Sequence, residues 1–388
     1  MGEKLRLGLI VFLYDSFPDL INMLMDKKIR LALLGSNGLP AHYGGTETFY
    51  ENLTRQLSGR YDITVYCSKN NPKVEGNTYL GAKLLPFPLK ANGMQGIIYD
   101  MITYLHAAKR NDVLLIFVAN GAPVIPFIRL FHPKVKIVIN DGGLDEWKRE
   151  SYGSFGRAWI KWCFKISRNC IHVADNNLYV NSLKNTFGID AHMIRYGGDN
   201  VSIVKPNEQL LAKYPFLKDD YYVSVSRAQV DNNLHIVLEA FAMMPEKTLV
   251  LVSNFGKTEY GKNLYDKYKD YKNIYLINGV YQRNEIDAIR YNARVYVHSH
   301  SRCGTPPSLC EAMYLGRPII SFDADVNHEV TEEHALFFRN AYELKMIVER
   351  LTVKELDVLS NYSEETSHRE YTWATIANKY AEIFDGSK

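Results

Sequence analysis

Regular patterning begins at residues 29–34, a short apolar run (IRLALL) that stops at Gly35. An apolar run of this length, closed by glycine, reads as a strand buried on both faces. Residues 35–45 are rich in glycine and proline. Residues 46–57 (TETFYENLTRQL) then space their apolar positions as a helix does. The same strand, loop, helix order recurs: strands are predicted over 63–67, 113–118, 135–140 and 169–174, and helices over 96–109, 155–167 and 177–187. This alternation predicts a doubly wound parallel sheet.

The pattern restarts after residues 197–214, a stretch with Gly, Pro and polar residues and little periodicity. Strands are predicted over 221–226, 248–253, 274–277, 295–299 and 318–322, and helices over 233–243, 285–292 and 308–315. The expected fold class is α/β, with two Rossmann-like domains facing each other across a cleft. The expected division is an appendage over 1–26, a first domain over 27–200, a second over 201–370, and a C-terminal helix over 371–388 that packs back on the first domain. Ligands of open α/β sheets bind beyond the carboxyl ends of the strands, so both domains should offer loops to one pocket.

Hydrophobic residues make up 46% and charged residues 23% of the 388, which argues against large-scale disorder. The net charge of +3 gives no sign of nucleic-acid binding. The halves differ: residues 1–200 hold 24 Lys and Arg against 17 Asp and Glu, and the remainder holds 22 against 26. Two readings stand, a first half facing an acidic partner or anionic membrane, and scattered solvated charge. Five cysteines, an odd number in a long chain, fit a reducing cytoplasm. His298, His300, Cys303 and Cys310 match no common zinc spacing, so no metal is expected. The apolar run over residues 7–14 is too short to span a bilayer, and Met25 is a candidate start. Any membrane contact is expected to be peripheral.

Three loops leave strands and enter helices. In the first, Gly44 and Gly45 allow close approach of backbone to a ligand, and the helix start beyond them attracts anions such as phosphate. In the second, Arg227 stands just past a strand with Asn232 further on. Arg227 can hold a diphosphate through paired N–H donors or bridge to Asp231. The third runs from His298 through Gly304, Thr305 and Ser308 to Glu311. There Ser308 and Glu311 have capping-box spacing, while Glu311 is equally suited to accept from ribose hydroxyls.

Residues 35–52 (GSNGLPAHYGGTETFYEN), 141–149 (DGGLDEWKR), 226–241 and 298–318 together resemble the GT-B glycosyltransferases of family four, with 322–330 matching more weakly. They look closest to the bacterial rhamnosyltransferase-like, DUF1972-type subgroup that builds surface polysaccharides. The resemblance covers about 300 residues. It implies a retaining, metal-independent transferase that uses a nucleoside-diphosphate sugar, without further cofactor. Gly44, Gly45, Arg227, Asn232, Gly304, Thr305, Ser308 and Glu311 would hold the donor. Asp141 and Arg227 would be catalytic, with Asp141 beside the reacting sugar. The acceptor would be a lipid-linked saccharide at the inner face of the plasma membrane. The first of the family's two acids, which are separated by seven other residues, is Cys303 here, and Asn232 stands where many relatives have Lys. Residues 155–166 (FGRAWIKWCFKI) suit either a membrane interface or a half-buried helix. The rival readings are a catalytically idle nucleotide-sugar-binding or scaffold subunit, and a GT-B sugar-nucleotide epimerase.

Overall fold

The first sheet is built outward from β1 (Arg30–Leu34), whose Leu31 to Leu34 have no exposed surface. The computed structural model describes residues 28–42, 44–72, 74–143, 145–148 and 153–386. The appendage expected over 1–26 lies outside them, as do Leu144 and Arg149 of the 141–149 motif. β1 pairs in parallel with β2 (Asp62–Cys67) on one side and β5 (Val113–Phe117) on the other, Leu31 standing opposite Ile63 and Val113. β6 (Lys136–Asn140), β7 (Ile171–Ala174) and β8 (Ala191–Met193) extend the sheet past β5, and β4 (Ala82–Pro86) extends it past β2. The edge strand β3 (Thr78–Tyr79) is antiparallel.

Helices cover both faces. On one lie α1 (Gly45–Leu57) and, from the far end of the chain, α14 (Trp373–Asp385). Phe49, Leu53 and Leu57 of α1 share a core with Trp373, Ile376, Tyr380 and Phe384 of α14. The C-terminal helix thus completes the first sheet's core. Its start is tied down where Trp373 donates its backbone N–H to Asp199 at 2.7 Å. On the other face lie α2 (Met94–Ala108), α3 (Ile125–Phe131) and α4 (Gly153–Ser167). α4 is buried on one side only: Ile160, Cys163 and Phe164 face inward, while Phe155 and Trp162 stay in water. α5 (Asn177–Phe187) begins with Asn176 capping the Tyr179 N–H at 2.8 Å and ends on Gly188 at φ +69°, a conformation that suits glycine.

The second sheet has six parallel strands in the order β11-β10-β9-β12-β13-β14: β9 (Tyr222–Val225), β10 (Leu249–Ser253), β11 (Ile274–Asn278), β12 (Val295–His298), β13 (Ile319–Phe322) and β14 (Leu336–Phe338). Strand order reverses between β9 and β12. A crevice opens at such a switch point, beyond the carboxyl ends. The helices that matter for it are α7 (Leu234–Ala242), α9 (Arg283–Tyr291), α10 (Pro307–Tyr314) and α11 (Asp325–Thr331). Sequence periodicity missed β3, β4, β8, β14, α3, α11 and the helices at Glu208–Lys213, Glu259–Tyr268, Ala341–Arg350 and Val353–Glu370. Most of these span seven residues or fewer, too few to show a period, but the last three are longer helices.

Candidate active site

At the β9/β12 switch point lies a cavity of about 230 Å³ whose lining includes Arg227, Asn232, Gly304 and Thr305. Four of the expected donor residues therefore meet. The backbone turn that forms the floor is tightly tied. Asn232 donates its amide to the Arg227 carbonyl at 2.8 Å, and Ser299 donates to the Asn232 carbonyl at 2.5 Å. Asn233, at φ +49°, donates its side chain to the Ser299 carbonyl at 3.1 Å. Asn232 thus braces the loop through its amide while also lining the cavity. The Arg227 side chain is exposed, and its guanidinium has no hydrogen-bond or ion-pair partner among the described residues. The bridge to Asp231 does not form.

Two histidines stand behind Arg227. His298 and His300 have ring centroids 4.3 Å apart, and the His300 Nε2 lies 2.8 Å from the Ser226 hydroxyl. Burial, and then the Arg227 charge, pull the His300 pKa down to about 4. Burial and the neighbouring His300 pull His298 down as well, and its Nε2 is buried without a partner. Both rings are therefore neutral at physiological pH and leave Arg227 as the local cation. Spacing argued against any metal here, yet the fold gathers His298, His300 and Cys303 with ligand atoms within 4.8 Å of one another. Burial pushes the Cys303 thiol up to about 12, so it is protonated at neutral pH.

Glu311 sits deep, in α10. Its Oε2 is 2.7 Å from the Arg290 guanidinium, and its Oε1 accepts from Asn200 at 2.9 Å. The expected capping box is absent: α10 starts at Pro307 after Pro306, with no side-chain cap. Proline at the first helical position has no N–H to cap, so Ser308 lies inside the helix and Glu311 is released to face Arg290. Asn200 also accepts from the Trp373 indole at 3.2 Å, joining the C-terminal helix to the Glu311 carboxylate. Neither Glu311 nor Ser308 lines the Arg227 cavity.

In the first domain, Gly44 caps the start of α1 at φ +114°, and an added Cβ would meet the Glu47 carboxylate at 2.8 Å. Gly45 is open, with nothing within 4 Å of an added Cβ, and its carbonyl accepts from Tyr196 at 3.1 Å. Asp141 is turned inward. Its Oδ2 lies 2.7 Å from the His172 Nδ1, and its Oδ1 is buried without a partner. It does not line the cavity. Its backbone does approach the second domain, because Gly143, two residues on, touches the position a Cβ on Gly304 would take.

The acid that does approach the third loop is Asp175, at the end of β7. The Thr305 hydroxyl donates to its carbonyl at 2.6 Å, and a Cβ on Gly304 would meet its Oδ2 at 2.8 Å. Burial pushes its pKa up to about 6. A second clasp joins the domains where Asn177 donates its backbone N–H to Glu329 of α11 at 2.8 Å. The signal for Asp175 was present in the sequence: like Asp141, it directly follows a predicted strand. Asp323, which with Asp325 forms an Asp-Ala-Asp run in the second domain, is bound to His328 at 2.8 Å and to Arg339.

Two doubly wound domains, a switch-point cavity and an unpaired arginine beside it define a GT-B protein. Comparison with known proteins agrees. Residues 28–199 match the DUF1972 domain and residues 207–362 the glycosyl transferases group 1 domain. The chain belongs to the GT-B glycosyltransferases of the DUF1972-type, family-four-like subgroup. Its reaction class is sugar transfer from a nucleotide sugar. Among solved structures it is similar to sucrose-phosphate synthase from Thermosynechococcus elongatus (TM-score 0.75, 16% identity, 92% of this chain and 98% of that chain). It is also similar to Anabaena Alr3699/HepE in complex with UDP and glucose (TM-score 0.69, 16% identity, 92% and 99%). A glycosyltransferase from Rickettsia africae ESF-5 has a TM-score of 0.72 at 12% identity (92% and 98%). No curated protein sequence matches the chain.

Proposed function

We propose that the chain is a retaining, metal-independent glycosyltransferase of surface polysaccharide synthesis, acting in the cytoplasm at the inner face of the plasma membrane. It moves a hexosyl unit, rhamnose in the reading favoured by the subgroup resemblance, from a nucleoside diphosphate to a lipid-linked saccharide. The observation that carries this is the free Arg227 guanidinium beside the switch-point cavity. An unpaired cation flanked by two neutral histidines is suited to a dianion. In the reaction the bond from the anomeric carbon to the diphosphate oxygen breaks. The acceptor hydroxyl oxygen bonds to that carbon on the same face, and its proton passes to the departing phosphate. Arg227 would hold the charge that develops on the diphosphate, with Gly304, Thr305 and the α1 start at Gly44 and Gly45 offering backbone to the donor. Asp141 would act through His172 rather than by touching the sugar, and Glu311 would take the ribose by exchanging Asn200.

A binding-only subunit is the second reading, and Cys303 in place of an acid favours it. The decisive experiment offers labelled dTDP-rhamnose and UDP-hexoses with a membrane-extract acceptor. Transfer by the wild type, lost in Arg227→Ala, is expected. Donor binding without any transfer would establish the second reading, and interconversion of donor sugars without an acceptor would establish an epimerase.

A further inference from the structure

The helices on the α2–α3–α4 face of the first sheet leave large apolar side chains in water. In α2 these are Met94, Ile98, Ile102 and Leu105, spaced four, four and three residues, which is one stripe along a helix; Met94 is 72% exposed. α3 adds Phe127, and Leu130 and Phe131 at 71% and 69% exposure. α4 adds Phe155, 68% exposed, and Trp162. α3 packs against α4, and the turn at 122–124 packs against both α2 and α4, so the three helices lie together on this face. The core does not lack these side chains. Tyr104, Ile128 and Cys163 fill it from the opposite sides of the same helices. Large apolar side chains left in water on three helices of one face mark an interaction surface.

Charge selects the partner. The single acidic residue in the three helices is Asp100, and it is buried. Arg129, Lys161 and Lys165 stand exposed among the apolar side chains, and Lys109, Lys134 and Arg168 stand exposed at the helix ends. A second copy of the face would set cation against cation. An anionic bilayer satisfies both halves of the pattern, with headgroups at the lysines and arginines and acyl chains at the aromatic and aliphatic side chains. Among the described residues no helix is long and apolar enough to cross a membrane, so the contact lies in the interface plane. α2 follows β4 and α4 follows β6, so both start at the carboxyl ends of the parallel strands, where the cleft opens.

We propose that this face docks the protein on an anionic membrane surface, with the cleft at the bilayer edge. That it thereby meets a lipid-linked acceptor rests on the function proposed above; the docking itself does not. The test is flotation with vesicles of phosphatidylcholine, alone or with about one third phosphatidylglycerol. The wild-type chain should float with the anionic vesicles at low salt, and binding should weaken severalfold at about 0.5 M salt. Ile98→Glu with Phe131→Glu, both on exposed positions, should lower binding at least about tenfold with an unchanged melting temperature. Lys161→Glu with Lys165→Glu should do the same on anionic vesicles alone. Quenching of tryptophan fluorescence by brominated lipid should be lost in Trp162→Phe. Absence of wild-type flotation, binding indifferent to all these substitutions, or a dimer in solution that the glutamates dissociate would overturn the proposal. Transfer to a detergent-solubilised acceptor, unaffected by the same substitutions, would separate failure of docking from failure of the transferase reading.

Discussion

The Thr305 hydroxyl donates to the Asp175 carbonyl at 2.6 Å, fastening the cavity loop of the second domain to the end of β7 in the first. The Asp175 carboxylate beside it is enclosed by Gly143, Asn176 and Gly304, and burial is the main reason that its pKa stands at about 6 rather than 3.8. A raised carboxylate favours the protonated form in the folded state. The folded state therefore gains stability as pH falls through about 6 toward 3.8, and at neutral pH the ionised group costs up to roughly 3 kcal/mol. Asp175→Asn should be the more stable protein near pH 7, and its advantage should shrink as pH falls toward about 5. Thermal unfolding across that range checks this; parallel pH profiles for the two proteins would contradict it.

The buried Asp141–His172 pair makes a second prediction. His172 Nε2 lies 2.9 Å from the Ser167 carbonyl, which can only accept, so Nε2 carries a proton and the 2.7 Å contact of Nδ1 with the Asp141 carboxyl holds one further proton between the two groups. Removing either partner strands the other in a site closed to water, which costs roughly 3–5 kcal/mol. Asp141→Asn and His172→Gln should each lower stability by that order, and the double substitution by less than their sum. Denaturant unfolding of all three measures the coupling, and additive losses would dismiss it.

Glu311 and Arg290 predict a split in kinetics. If ribose hydroxyls exchange with Asn200 on the Glu311 carboxylate, that contact is made in the ground state as well as the transition state. Glu311→Gln should raise the donor KM about ten- to hundredfold, the value of a charge-assisted hydrogen bond, with little change in kcat. Asn200→Ala should leave KM unchanged or lower it. Steady-state rates against donor concentration decide, and a fall in kcat at constant KM would speak against a ribose role.

Trp373 belongs to the C-terminal helix, yet it packs on Phe49 and Tyr196, with ring centroids 5.8 and 4.9 Å away. Trp373→Ala should cost roughly 3–5 kcal/mol. The loss should appear as unfolding of the first domain, hundreds of residues away in sequence. Hydrogen exchange read on the β1 and α1 amides would locate it. Protection lost only in the second domain would refute the packing argument.

Much of this architecture was legible in the chain. The apolar runs at β1, β5, β6, β9, β10 and β12 are interior parallel strands buried on both faces, and such strands read as mostly apolar, Val-, Ile- and Leu-rich runs without a polar face. The loops after β1, β9 and β12 could be picked out because glycine and proline punctuate the strand–helix junctions. Arg227, Gly304 and Thr305 were found this way, and the fold brings them to one cavity. The side-chain partners were not legible. Ser308 and Glu311 had the spacing of a capping box, and Pro307 at the helix start removed it.

Local periodicity and turn chemistry were enough to specify two doubly wound sheets and the loops at their carboxyl ends, because strand burial and helix punctuation are short-range properties of the chain. Tertiary structure alone decided that Asp141 turns to His172, that Asp175 meets Thr305, that Asn200 links Trp373 to Glu311, and that three helices with exposed apolar side chains share one face. Each of these joins residues from separate elements, most of them far apart in sequence. Such contacts depend on how helices pack across the sheets and on how the domains close, and no periodicity within a single element encodes that.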